Sequence, residues 1–223
     1  MGVVELVFRI ARRIAGSLLP ILSIGLLVVS FTLDDWYSVE YLEGTKEEGS
    51  IWREYKLDYG LYEFRYLEVW SGILGDNFIE MDRKTTGELE DLSDYIVTSM
   101  CLLILLLALI TIFGLSTLTD RFGTGTPMVM CLIVVLGSLL SGTFYMVSIE
   151  NAVAEHLENN VDPAGIELED DERSSLEDSG RPGDSSYLLL SSAIPAFISF
   201  LLFIDPKKDR DPSISDIEKG FFR

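Results

Sequence analysis

The chain has 223 residues, 48% of them apolar, yet its formal net charge is −19, with 36 acidic residues against 17 Lys and Arg. So negative a balance excludes a nucleic-acid-binding surface, which needs clustered cations against phosphate. The apolar and acidic residues are also segregated into blocks, the pattern of a multi-pass membrane protein rather than of a soluble domain.

The N-terminal segment, residues 1–13, carries Arg9, Arg12 and Arg13 against Glu5. Residues 14–33 then contain no Asp, Glu, Lys, Arg or His and form the first expected span. A spanning helix needs about 20 residues at 1.5 Å rise, with a range of about 17–25. Pro20 is expected to bend this helix without breaking it. The basic flank also suits a signal peptide, but the run is long for one and no small-residue cleavage pattern follows Val28-Val29-Ser30. An uncleaved anchor is the expectation.

Residues 34–94 hold 17 acidic and 6 basic residues. Trp36–Leu42 is aromatic and β-branched, and Ile51–Leu57 sets Ile51, Tyr55 and Leu57 on one side with Arg53 among them. In Leu61–Trp70, the residues Tyr62, Phe64, Tyr66 and Trp70 alternate with Glu63 and Arg65. Turn compositions at Glu43–Gly49 and Asp58-Tyr59-Gly60 separate these runs. An antiparallel meander of three or four strands follows. Thr86-Gly87-Glu88-Leu89 reads as a helix start, which predicts one helix from Glu88 through Asp94 into the second span.

That second span, 95–119, is rich in Leu and Ile. The turn 120–127 contains Gly123-Thr124-Gly125-Thr126-Pro127, which looks like a phosphate-cradling loop. It lacks the lysine and the preceding strand, and reads as an inter-helix turn. The third span, 128–149, carries Gly137, Ser138, Ser141 and Gly142, two overlapping small-xxx-small pairs at which a neighbouring backbone can approach closely. Their expected partner is another span of the same chain. Residues 150–186 hold 12 acidic and 2 basic residues. Asn151–Asn160 is expected to extend the third helix, and Asp162–Ser186 to be mobile. The fourth span, 187–204, places Ser191, Ser192, Ala193 and Ala196 around Pro195. A mixed-charge tail, 205–223, ends in Phe221-Phe222-Arg223.

Basic ends and acidic loops predict both termini inside and the loops 34–94 and 150–186 outside a cell membrane. The expected fold class is therefore a membrane all-α four-helix bundle with a small extracellular antiparallel β-sheet.

Little in the chain suggests chemistry. The spans contain no ordinarily ionisable residue, which argues against an ion-coupled transporter. His156, the sole histidine, lies in Glu155-His156-Leu157-Glu158 and reads as a solvated surface residue, since zinc needs about four donors. The acidic run Glu167–Glu172 lacks the ligand spacing and central glycine of a calcium loop. Cys101 and Cys131 both lie inside spans and read as small packing residues, with acylation of Cys131 near a helix end as the alternative. No catalytic residue, cofactor or metal site is expected.

The layout of four spans, a strand-rich first loop and a smaller second one resembles the claudin-like superfamily of claudins, peripheral myelin proteins and calcium-channel gamma subunits. Trp36 stands soon after the first span, and Gly60-Leu61-Tyr62 is similar to that family's Gly-Leu-Trp. Tyr62 replaces the tryptophan, and Arg65 and Gly75 stand where the family has cysteines, so its loop disulfide is missing. The resemblance implies a left-handed bundle capped by a small sheet, with a hydrophobic face including Tyr62, Phe64 and Trp70 packed on the helix ends.

The expected role is non-enzymatic: adhesion or self-assembly through the outer loops, with an accessory subunit of a channel, transporter or enzyme complex as the alternative. The expected partners are membrane lipids and either a membrane protein or further copies of the chain. The interaction candidates are Trp36, Tyr62, Phe64, Trp70, Gly137 and Ser141.

Overall fold

The computed structural model describes residues 3–43, 52–72, 75–119, 123–159 and 179–204. In chain order these form α1 (Val3–Thr32), β1 (Tyr37–Glu43), β2 (Arg53–Tyr59), β3 (Glu63–Gly72), β4 (Gly75–Lys84) and α2 (Glu88–Ser116). A 3-10 turn at Thr117–Thr119 follows, then α3 (Gly125–Asn159), β5 (Arg181–Pro182), α4 (Asp184–Ser191) and α5 (Ala193–Phe203).

Four helical segments are long and apolar enough to cross a membrane: Val7–Thr32, Glu88–Ser116, Gly125–Leu157 and Asp184–Phe203. By this measure the chain is a multi-pass membrane protein. Exposed aromatics mark one boundary of the apolar zone. Phe31, Tyr95, Phe144 and Tyr187 all face outward near the sheet, and the Tyr95 and Phe144 rings meet at 4.8 Å. Amphipathic rings collect at the headgroup level. From Tyr95 to Ser116, at 1.5 Å per residue, α2 covers about 32 Å, the thickness of a hydrocarbon core.

The spans run up and down, and each packs against two others: α1 and α3 each contact α2 on one side and the α4–α5 pair on the other. What draws α1 to α4–α5 is a heptad of small residues in both. The Ser199 hydroxyl donates to the Gly16 carbonyl at 2.5 Å. Ser23 donates to the Ser192 carbonyl at 2.8 Å, and Ser30 to the Ser185 carbonyl at 2.7 Å. Seven-residue spacing in two antiparallel helices keeps one seam facing the other. Small side chains let the backbones close, and each buried hydroxyl finds a carbonyl where lipid offers none.

α1 runs uninterrupted through Pro20. The fourth span is broken at Ser192, between α4 and α5. Pro195 has no N–H to give the Ser191 carbonyl four residues back, so the helical ladder loses a rung there. At the break the Ser192 hydroxyl donates to the Leu189 carbonyl at 2.6 Å.

The sheet has the order β4-β3-β2-β1-β5, antiparallel throughout. Register sets its faces. One face carries the row Tyr37–Tyr59–Phe64–Arg83 and next to it Val39–Leu57–Tyr66–Met81. All but Arg83 and Met81 in these rows are buried. They lie against the end of α3, where Ile149, Ala152, Val153, His156 and Leu157 are buried in turn.

The fourth expected strand exists, and so does a fifth. β4 has exposed residues on both faces, among them Phe78, Ile79, Glu80 and Asp82. It therefore shows none of the alternation by which β2 and β3 are read. β5 comes from the second loop, where mobility was expected up to Ser186. Instead Gly183 donates its N–H to the Trp36 carbonyl at 2.9 Å, and Ser186 its hydroxyl to the same oxygen at 2.6 Å. Gly183 tolerates no side chain, since a Cβ there would lie 2.4 Å from the Asp35 carbonyl oxygen. Helices also begin earlier than the expected spans: α1 at Val3, α3 at Gly125, inside the expected turn, and α4 at Asp184. The turn composition at 44–49, Ile51, the Asp120-Arg121 turn, the acidic run 167–172 and the tail 205–223 lie outside the described residues.

Candidate interaction site at the sheet end

The sheet meets the helices through aromatic contacts. Trp36 is fully buried and meets Tyr145 of α3 edge to face, centroids 5.2 Å apart at 71°. Phe64 packs on His156 at 4.9 Å and 73°, and Tyr59 on the same ring at 5.8 Å and 86°. The Tyr59 hydroxyl lies 3.3 Å from His156 Nδ1. His156 is thus 6% exposed, which corrects the solvated-surface reading. It stands twelve residues, about 18 Å, beyond Phe144 of the aromatic boundary, on a stretch of α3 flanked by Glu150 and Glu155. Burial lowers its proton affinity below the ordinary histidine value. Burial likewise raises Tyr59 far above the usual phenol range. Tyr37 is pushed up to about 12, by burial first and by Glu150 second.

Further from the helices, the same face carries charge. Glu68 is 4% exposed; Arg53 reaches its Oε1 at 3.1 Å and Tyr66 donates to its Oε2 at 3.1 Å. Arg53 also donates to the Tyr55 hydroxyl at 3.0 Å. A buried carboxylate persists only with such partners.

The sequence-derived candidates divide by place. Trp36 and Phe64 are core residues of the sheet–helix junction. Trp70 is half-buried, in the row of Arg53 and Asn77. Tyr62 precedes β3 and is exposed rather than packed; its hydroxyl donates to Asp94 at the start of α2, at 3.0 Å. The hydrophobic face expected to contain Tyr62 is thus made by Phe64 and Tyr66 with Tyr59. Gly137 and Ser141 face neighbours within the chain. A Cβ on Gly137 would lie 3.0 Å from Leu103 of α2, and one on Gly142 would lie 2.4 Å from Leu190 of α4. Ser138 bonds Ser192 across the same seam at 3.3 Å, and Ser141 is buried. Cys131 is fully buried against the Ser199 hydroxyl at 3.3 Å, which removes it as an acylation site, while Cys101 is exposed on α2.

The outward face of the sheet is polar near the helices and apolar away from them. Lys56 pairs with Asp58 at 2.9 Å, and Arg65 with Asp82 at 3.1 Å and Glu80 at 3.5 Å. Solvent screens surface pairs of this kind, so they add little to stability. Beyond them stand Leu67, Val69 and Phe78, with Val69 opposite Phe78 and Phe78 70% exposed. Sequence reading missed Phe78, although Phe78-Ile79 between Asn77 and Glu80 is an apolar pair in an acidic loop. An open cavity of about 580 Å³ lies at the foot of this face, lined by Phe31, Leu33, Asp34, Lys56 and Arg65 among others. Among the described residues, no three His, Cys, Asp or Glu side chains are placed to hold a metal ion.

No protein-family model matches this chain, and no curated protein matches it in sequence.

Proposed function

We propose that this is a non-enzymatic membrane protein that acts through contacts of its sheet end with other proteins, as an adhesive or self-assembling element. The observation that carries this reading is Phe78. A phenylalanine 70% exposed on a strand, beside Val69 and Leu67, is the kind of apolar patch that marks a contact surface. The charge pattern supports placing the sheet end outside the cell membrane and both termini inside. The layout supports a distant likeness to claudin-like proteins.

The alternative is an accessory subunit that docks laterally on a larger membrane complex. The small-residue faces of α3 and α4–α5, the natural surfaces for such docking, are occupied within the chain, which favours the first reading.

Gentle extraction followed by size analysis, and then bridging of liposomes that carry the protein, tests the choice. Self-assembly or bridging that is lost in Phe78→Ser supports the proposal. A stoichiometric second protein, retained by Phe78→Ser, overturns it in favour of the accessory role.

A further inference from the structure

His156 is the only histidine in the chain, and it lies where the sheet is fastened to the bundle. Three elements meet at its ring: α3, which carries it beyond the aromatic boundary, β2 through Tyr59 and β3 through Phe64. We propose that this junction is a proton-sensitive latch: neutral His156 holds the sheet on the α3 extension, and protonation releases it.

The chemistry follows from the partners. The latch requires the tautomer in which the ring proton sits on Nε2 and the Tyr59 hydroxyl donates to Nδ1, 3.3 Å away. Protonating Nδ1 turns the acceptor into a second donor facing an O–H group, and the contact survives only if Tyr59 reverses. The charge would then sit against Phe64, Val153 and Leu157, all buried. Among the described residues, the titratable groups around it lie on the sheet, α3 and α2. Tyr37 and Tyr59 on the sheet are neutral, and Arg83, at the end of the same row, is a cation. Glu155 lies beside it on α3 on the exposed side, and Glu88 and Asp91 lie across the groove with α2, lined by Ala152 and Ser148. Burial lowers the affinity of this ring for a proton.

The sign is fixed by linkage. A released histidine titrates near 6.5, and the packed one lower. Above about pH 6.5 both states are neutral and the latch holds in full. As pH falls below that value the released state binds more protons. Its population then rises by up to about tenfold per pH unit until the packed histidine also titrates.

The single histidine makes the test direct. In the full chain in detergent micelles, isotope-labelled histidine gives one imidazole signal. Hydrogen exchange over residues 55–67, corrected for intrinsic rates between pH 7.5 and 5, reports opening of the sheet. The expected result is a midpoint below 6.5, with protection of 55–67 falling while that of 100–110 in α2 holds. His156→Phe should flatten the pH dependence. If that variant does not fold, the wild-type titration alone decides. A midpoint at or above 6.5, or protection of 55–67 that does not change with pH, overturns the latch. So does an unchanged pH dependence in a folded His156→Phe.

Discussion

At the scale of single residues, burial and shape decide more than polarity. Trp36 is fully buried against Tyr145, and among the described residues its indole nitrogen has no hydrogen-bond partner. What the side chain supplies is therefore volume and an aromatic edge. Trp36→Ala should destabilise the protein by about 3–5 kcal/mol through the cavity it leaves. Trp36→Phe should cost about 1 kcal/mol, because no donor is lost and most of the ring remains. Thermal denaturation in detergent, followed by the loss of monodisperse protein, compares the two; equal losses would mean that the indole nitrogen matters. Trp36 and Phe64 were legible as important because aromatics in an acidic loop need a reason. His156 was misread because its sequence neighbours are carboxylates. The corrective signal lay further off, in Ile149, Ala152, Val153, His156 and Leu157, spaced at three, four, seven and eight residues along one helix face. Glu68 escaped for the opposite reason: strand alternation placed it inside, but only the fold shows Arg53 and Tyr66 waiting there.

At the scale of elements, the seam between α1 and α4–α5 separates two contributions. Hydrogen bonds between membrane helices average about 0.6 kcal/mol and reach about 1.7. Ser23→Ala should therefore lower stability by less than about 1 kcal/mol. Ser23→Leu should lower it by about 1–3 kcal/mol, because it forces apart backbones that now close on the Ser192 carbonyl. Chemical denaturation in mixed micelles measures both; if the alanine variant is the weaker of the two, the bond rather than the packing holds the seam. The heptad Gly16, Ser23, Ser30 and its counterpart Ser185, Ser192, Ser199 were present in the sequence. Their seven-residue period does not register at the four-residue spacing of the small-xxx-small pairs in the third span. The uncharged blocks located the spans but not their ends, because helices continue wherever an apolar face has something to cover. β2 and β3 were legible through alternation. β4 shows weak patterning because both its faces are exposed, and two residues, Arg181 and Pro182, are too few to show any period.

At the scale of the whole molecule, the asymmetry of charge and the single sheet end make topology testable. In a background with Cys101→Ala, a cysteine replacing Glu80 should react with an impermeant maleimide on intact cells. One replacing Gly123 should react only after permeabilisation. Reversed labelling would invert the proposed orientation while leaving the fold untouched. Four spans and a sheet were legible because hydrocarbon imposes length and water imposes charge, and both write themselves into composition. Which loop completes the sheet was not, because that depends on contacts between residues more than a hundred positions apart.

β5 has a consequence for how the chain is held together. The last span is fastened by Gly183 and Ser186 on the Trp36 carbonyl, and by Ser30, Ser23 and Gly16 down the length of α1. All of these contacts are made by residues outside 160–178. The molecule is in effect two pieces, a three-span body with an incomplete sheet and a one-span plug that brings the missing strand. A cut within residues 160–178 would leave each of these named docking contacts in place.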